Sequence, residues 1–343
     1  MEEARVDRRT FVMGAAAIGA AALTGGMLGG CAGGEGAEPA VGSAPVEPSP
    51  MLEPAPASSS EPLPYDSVFP PHEPCGRGVG ARPGRVAWVR DAAAVTWDGS
   101  GYWWQREHFD EDAVRRMVDD GVAAAAGAAN VVPACVSEAD YLINLASLKG
   151  HSYGLTLCGK NHFGSLVNSS RLRPPEAAGI HRYVSGQAMG MYTVLVDLFA
   201  NRLLGGKTML WMLDGLVPAT SEGASVTREA AQWEGAPFDG GFAASIFLSQ
   251  DPVAIDSVGA DFLINQPAVV SRNAALEGNL GVENYLHEAA LASAPPSGAA
   301  YRDGAGNPVE SLGVHEHWNN SVERLYSRDR GESEGIELVR ILR

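Results

Sequence analysis

Residues 242–263 read FAASIFLSQDPVAIDSVGADFL, and this stretch decides the fold class. The apolar run over 242–248 has the length of a strand covered on both faces. Ser249, Gln250 and Asp251 interrupt it. Asp251-Pro252 then has the form of a helix N-cap followed by proline at the first helical position, opening a helix from Pro252 to about Leu263. Outward from this unit, the same alternation recurs. RVAWVR over 85–90 reads as a strand. Residues 109–126 read as a helix with Val114, Met117, Val118 and Val122 on one face. YLINLA over 141–146 is again of strand length, and residues 185–204 form a helix turning Val194, Leu195, Leu198 and Phe199 inward. TMLWML over 208–213 is a strand ending at Asp214-Gly215, and residues 281–292 give a further helix. Apolar strands alternating with helices predict an α/β domain, with a mainly parallel sheet flanked by helices. Trp88, Trp97, Trp103 and Trp104 are expected in its packing.

Before this body come two segments of different composition. Arg8-Arg9, a Gly- and Ala-rich apolar stretch over 11–30, and Leu28-Gly29-Gly30-Cys31 follow in the order of an export signal. The paired arginines point to the twin-arginine route for folded proteins, and so to its export machinery as a partner. A membrane-spanning helix needs about 20 strongly apolar residues, and 6 of the 20 positions over 11–30 are glycine. Leu-Gly-Gly-Cys has the form of a lipobox, in which Cys31 is acylated and becomes the first mature residue. A cleaved signal without lipid is the alternative. Residues 32–81 hold 11 of the 22 prolines, too little apolar surface to fold alone, and read as a disordered, semi-rigid tether. The expected organisation is a signal over 1–31, a tether over 32–81 and one α/β domain over 82–343. The expected location is outside the cytoplasmic membrane, facing the periplasm or cell exterior.

Net charge is −16. Residues 1–30 hold three acids (Glu2, Glu3, Asp7) and three bases (Arg5, Arg8, Arg9), so the mature chain keeps that balance. An acidic surface argues against nucleic acid as a partner. The cysteines are Cys31, Cys75, Cys135 and Cys158. None forms a C-x-x-C pair, so no iron–sulfur or zinc-ribbon motif is visible. A disulfide outside the cytoplasm is open, with no readable pairing.

Ligands of parallel α/β sheets bind beyond the C-terminal strand ends, and three such ends carry polar groups. Lys149 and His151 follow the 141–146 run. Lys160, Asn161 and His162 echo them eleven residues later, with Thr156 between. Asp214 follows the 208–213 run, and Asp251 and Asp256 follow the 242–248 run. The lysines and histidines form a cationic island in an acidic chain, suited to an anionic small molecule. Lys149, His151, Lys160, Asp214 and Asp251 are the candidate catalytic groups, and Thr156, Asn161, His162 and Asp256 the candidate ligand contacts. The aspartates can serve as a base or hold a cation. Against this stand ordinary structural roles: Asp251 as a cap, Asp214-Gly215 as a turn, and Cys158 as a small buried hydrophobe. His315-Glu316-His317 is a second cluster. In extended chain His315 and His317 share a face, a spacing that can hold a divalent transition metal.

The segments YLINLASLKGHSYGLTLCGKNHFG over 141–164 and FLSQDPVAID over 247–256 resemble the signature of the DUF362 family. The tail, with GVENYLHEAA over 281–290 and LGVHEHWNN over 312–320, resembles its exported twin-arginine members. The resemblance implies no settled activity. Relative to the family, the 127–140 region is short and lacks a Lys-x-Asn strand, which implies an internal deletion and an exposed sheet edge. Three functions follow as expectations: an exported, lipid-anchored binder of an anionic small molecule, a non-catalytic metal- or ligand-binding lipoprotein, or a degenerate family member.

Overall fold

The computed structural model describes residues 69, 71, 73–92, 132, 134–151, 154–165, 189, 193–221, 228–235, 237–278, 281–303 and 306–342. The stretch expected as an export signal, Cys31, most of the stretch expected as a tether and the helix expected over 109–126 lie outside the described residues. Of the helix expected over 185–204, Thr193–Ala200 is described as helix.

Five strands form one sheet. They are β1 (Arg85–Arg90), β2 (Leu142–Lys149), β3 (Thr208–Ala219), β4 (Ser245–Ser249) and β5 (Glu337–Leu342), in the order β2-β3-β4-β1-β5. β2 pairs with β3, and β1 with β5, in parallel. β4 is antiparallel to both of its neighbours. Four strands therefore share a direction and the central one runs against them. The sheet is mixed, which corrects the expectation of a mainly parallel one. β4 is buried on one face and half-buried on the other, and strand direction is set by the partners a strand meets, not by an apolar run.

A second correction concerns Asp214-Gly215. β3 does not end there; it runs on to Ala219, with Asp214 paired to Ser147 on one side and Ile246 on the other. Gly215 is required by close approach. A Cβ there would sit 3.0 Å from the Leu148 side chain and 3.2 Å from the Ser245 carbonyl oxygen. A dipeptide that favours turns locally is held extended by ladders on both edges.

Four helical segments position the site: α1 (Cys158–Asn161), α2 (Thr193–Ala200), α3 (Pro252–Ile264) and α4 (Asn284–Ala290). α3 is buried along its entire length, which suits a helix that is apolar nearly all round. Its start is the one the sequence announces. Asp251 Oδ1 accepts from the backbone N–H groups of Val253 and Ala254 at 3.1 and 2.9 Å, with Pro252 next. Oδ2 accepts from Gly84 and Val314 at 2.9 and 3.2 Å, so one carboxylate ties α3 to the entrance of β1 and to the C-terminal tail. Burial pushes Asp251 up to about 6, against the pull of those four N–H groups.

Further along α3, Phe262 fixes the helix to the sheet. Its ring lies 4.9 Å from Trp88 on β1, 4.9 Å from Phe247 on β4 and 5.2 Å from Trp318 in the tail. The turn of α3 that carries Asp261 is thereby held against residues 312–318. Phe69, within the proline-rich stretch, is also packed, with 2 % of its surface exposed. Cys75 forms a two-way backbone bridge with His315. The Cys75 and Cys158 thiols are free. Among the described residues no helix is long and apolar enough to cross a membrane.

A candidate metal centre between helix α3 and the C-terminal tail

Ser257 and Asp261 are one helical turn apart on α3 and so point the same way, about 6 Å from each other. In the tail, His315 and His317 are two residues apart, about 7 Å in extended chain, and also share a face. The two spacings match, and the side chains pair in order. Ser257 Oγ lies 2.8 Å from His315 Nδ1, and Asp261 Oδ1 lies 2.6 Å from His317 Nδ1. Glu316, between the histidines, turns the other way and accepts from the backbone N–H groups of Ser327 and Ile336 at 2.5 and 2.7 Å.

These contacts set the ring tautomers. The Ser257 hydroxyl donates its one hydrogen to the Val253 carbonyl at 2.8 Å, so it accepts from His315 Nδ1–H. The lone pair of a neutral His315 is then on Nε2. Asp261 likewise accepts from His317 Nδ1–H, while its Oδ2 accepts from Tyr326 Oη at 2.7 Å and the Trp318 N–H at 3.0 Å. His317 Nε2 is turned towards Glu283, whose Oε2 lies 2.6 Å away. One ligand atom from each of Glu283, His315 and His317 lies within 4.8 Å of the others, and all three residues are buried. Two imidazoles held through Nδ1 by second partners, with Nε2 facing a carboxylate, form a donor set for a divalent transition metal.

The electrostatics agree. Burial alone would push His317 down, but Asp261 and Glu283 raise it to about 10. Burial would push Glu283 up, but hydrogen bonds from His287 and His317, with their charge, pull it down to about 2. An imidazolium at His317 therefore sits between the two carboxyl groups, and a metal ion bound there would have to displace its proton. Phe69 closes one side by stacking on His317, ring centroids 5.3 Å apart and 28° between planes. On another side His287 stands perpendicular to His315 at 4.3 Å.

The other sequence-predicted groups fall in separate places. Lys149 ends β2, paired through its backbone with Ala219, and His151 is buried in a tight turn bridged to Gly154. Gly154 has φ +93, and a Cβ there would collide with Val282, so this turn packs beside the residue preceding Glu283. Asn161 is engaged by the sheet: its Nδ2 donates to Asn144 Oδ1 at 2.9 Å and to the Leu145 carbonyl at 3.0 Å. Lys160 Nζ lies 4.8 Å from the centre of the Phe163 ring. His162 is buried edge-on to Trp211, and burial lowers it to about 4. The Thr156 hydroxyl and His162 Nε2 are buried with no hydrogen-bond partner.

Asp256 accepts from the backbone N–H groups of Cys158 and Gly159 at 2.8 and 2.9 Å and from Tyr285 Oη at 2.9 Å, fastening the start of α1. Asp214 is exposed, and its Oδ1 accepts from the Leu216 N–H at 3.0 Å. Asp251 lies at the opposite end of the sheet from Lys149. Because β4 is reversed, Ser249 pairs with Trp211, while Lys149 pairs with Ala219, eight residues further along β3. Along β2, where Asn144 pairs with Trp211, Lys149 is five residues further on, roughly 16 Å at strand rise. Asp251 is therefore apart from Lys149, whereas Asp256 meets the start of the segment that carries Lys160, Asn161 and His162.

Glu283, His287, Ser257 and Asp261 were not among the residues the sequence singled out. A signal for the first pair exists: Glu283 and His287 are four apart at the start of a helix, a few tens of residues before a His-x-His. Ser257 and Asp261 share that i, i+4 spacing, but nothing local marks them as partners of the tail.

The architecture is thus that of an α/β protein with a buried His/His/Glu group between a core helix and its tail. Residues 105–261 match the family described as "Domain of unknown function (DUF362)", and that stretch is a DUF362 domain. No curated protein and no solved structure matches the chain. The matched stretch contains the Lys-x-His motifs, and it ends at Asp261. Ser257 and Asp261 therefore come from the domain, whereas Glu283, His315 and His317 follow it.

Proposed function

We propose that this chain is an exported, lipid-anchored protein that binds a divalent transition metal through Glu283, His315 and His317. One observation carries the metal reading: both histidines are oriented through Nδ1, His317 by Asp261 and His315 by Ser257, and one ligand atom of each lies within 4.8 Å of the other and of Glu283. Support for export and anchoring is the order Arg8-Arg9, apolar stretch, Cys31 and proline-rich stretch in the sequence. Elemental analysis and zinc competition titration of the full chain test the metal reading. One ion per chain is expected, lost in His315→Ala and Glu283→Gln. A chain that takes up neither zinc nor cobalt rules it out. Loss of acyl labelling in Cys31→Ser tests the anchor.

A second reading is favoured by a separate observation. The Thr156 hydroxyl and His162 Nε2 are both buried without partners near Lys160, which suits an anionic small molecule held at residues 156–162. Inorganic phosphate titrated into the wild type and Lys160→Met tests it. Equal affinity in both removes this reading.

A further inference from the structure

We infer that His287 is a fourth metal ligand, so that the ion is enclosed by three imidazoles and one carboxylate and left without an open position. The inference rests on the metal-binding reading above and adds what that site is for.

Glu283 and His287 are four residues apart at the start of α4, so both side chains project from one face of the helix. Glu283 uses its two oxygens in different directions. Oε2 lies 2.6 Å from His317 Nε2, and Oε1 lies 3.8 Å from His287 Nε2. Glu283 thus meets His317 through one carboxylate oxygen and His287 through the other. Its ring also stands at 88° to that of His315, with centroids 4.3 Å apart, and the His315 and His317 rings cross at 82° with centroids 5.0 Å apart. Mutually crossed rings around one carboxylate suit a tetrahedral ion, whose ligand atoms diverge from one another. An octahedral set would need more donors than these four residues supply, and imidazole with carboxylate in a four-coordinate set is what zinc and cobalt take.

Exposure gives the direction of entry. The His317 side chain is 1 % exposed and Glu283 11 %, whereas His287 is 26 % exposed. Phe69 covers His317, and the Cys75 backbone is bridged to His315. His287 is the side of the cluster that meets solvent. An incoming zinc-like ion meets His287 first, and a departing one leaves it last. Four protein ligands close the first shell, which is the pattern of sites that hold or hand over a metal. Sites that activate water keep a position open.

The test uses the full chain and cobalt(II), whose visible bands are strong in tetrahedral and weak in higher-coordinate surroundings. The wild type should give strong bands at one equivalent. His287→Ala should bind cobalt at least roughly tenfold more weakly and give weakened bands, as water replaces the imidazole. His287→Glu, whose carboxylate reaches about as far as the imidazole Nε2, should restore the strong bands. Unchanged affinity and spectrum in His287→Ala overturn the inference. So does a folded, cobalt-loaded His287→Glu with weakened bands, which keeps the test decisive if the alanine variant does not fold. A wild type that binds no cobalt instead removes the metal reading beneath it.

Discussion

The carboxylate of Asp261 lies 2.6 Å from His317 Nδ1, joining a core helix to a tail segment 56 residues away in the chain. Asp261 thereby decides which nitrogen of His317 faces Glu283. Asp261→Asn keeps the size and removes the charge, and it leaves one oxygen to serve three donors. Zinc affinity should fall by about 10- to 100-fold, measured by competition with a chelating dye. Undiminished affinity in a folded variant would mean that His317 does not bind through Nε2.

Asp251 serves four backbone N–H groups and lies far from Lys149. Asp251→Ala strips the α3 cap and leaves buried donors at Gly84 and Val314 unpaired. Denaturant unfolding of the metal-free chain should show a loss of about 3 kcal/mol or more. Zinc stoichiometry under native conditions should stay at one. A variant of full stability would refute the capping role.

His162 makes stability depend on pH. Burial lowers its pKa from the ordinary 6.5 to about 4 in the folded chain, so the unfolded chain takes up the proton first. Stability is complete above about pH 6.5 and is lost as the pH falls towards 4, by about 3 kcal/mol. Comparing wild type with His162→Gln across this range, with chelator present, should show a shallower fall in the variant. Parallel curves would mean that His162 titrates normally.

Phe262 joins β1, β4 and the tail at one point of α3. Phe262→Ala should cost about 3–5 kcal/mol and, by loosening the Asp261 turn, weaken zinc binding as well. Melting temperature and affinity measured on the same preparation check both effects. A destabilised variant with wild-type affinity would show that the site does not depend on this anchor.

Some of this was legible from the residues because it is local. β1 follows from RVAWVR, and the α3 cap from Asp251-Pro252. The shared face of His315 and His317 follows from a spacing of two, and Glu316 between them, buried against Ser327 and Ile336 on the other side, confirms the alternation. Asp214-Gly215 shows where local reading fails. The pair favours a turn in isolation, yet Ser147 and Ile246 hold it in a strand from either side.

By itself the sequence determined the α/β alternation, the helix caps, the His-x-His pair and the export-type order of its first residues. Each depends on neighbours within about one turn or one strand. Only the tertiary structure decided that β4 runs against the other strands, which sends Asp251 to the opposite end of the sheet from Lys149. The tertiary structure alone also brought Ser257, Asp261, Glu283 and His287 around the two histidines. Strand direction and a buried side-chain cluster are both built from partners far apart in the chain, and no local spacing encodes which distant face a side chain will meet.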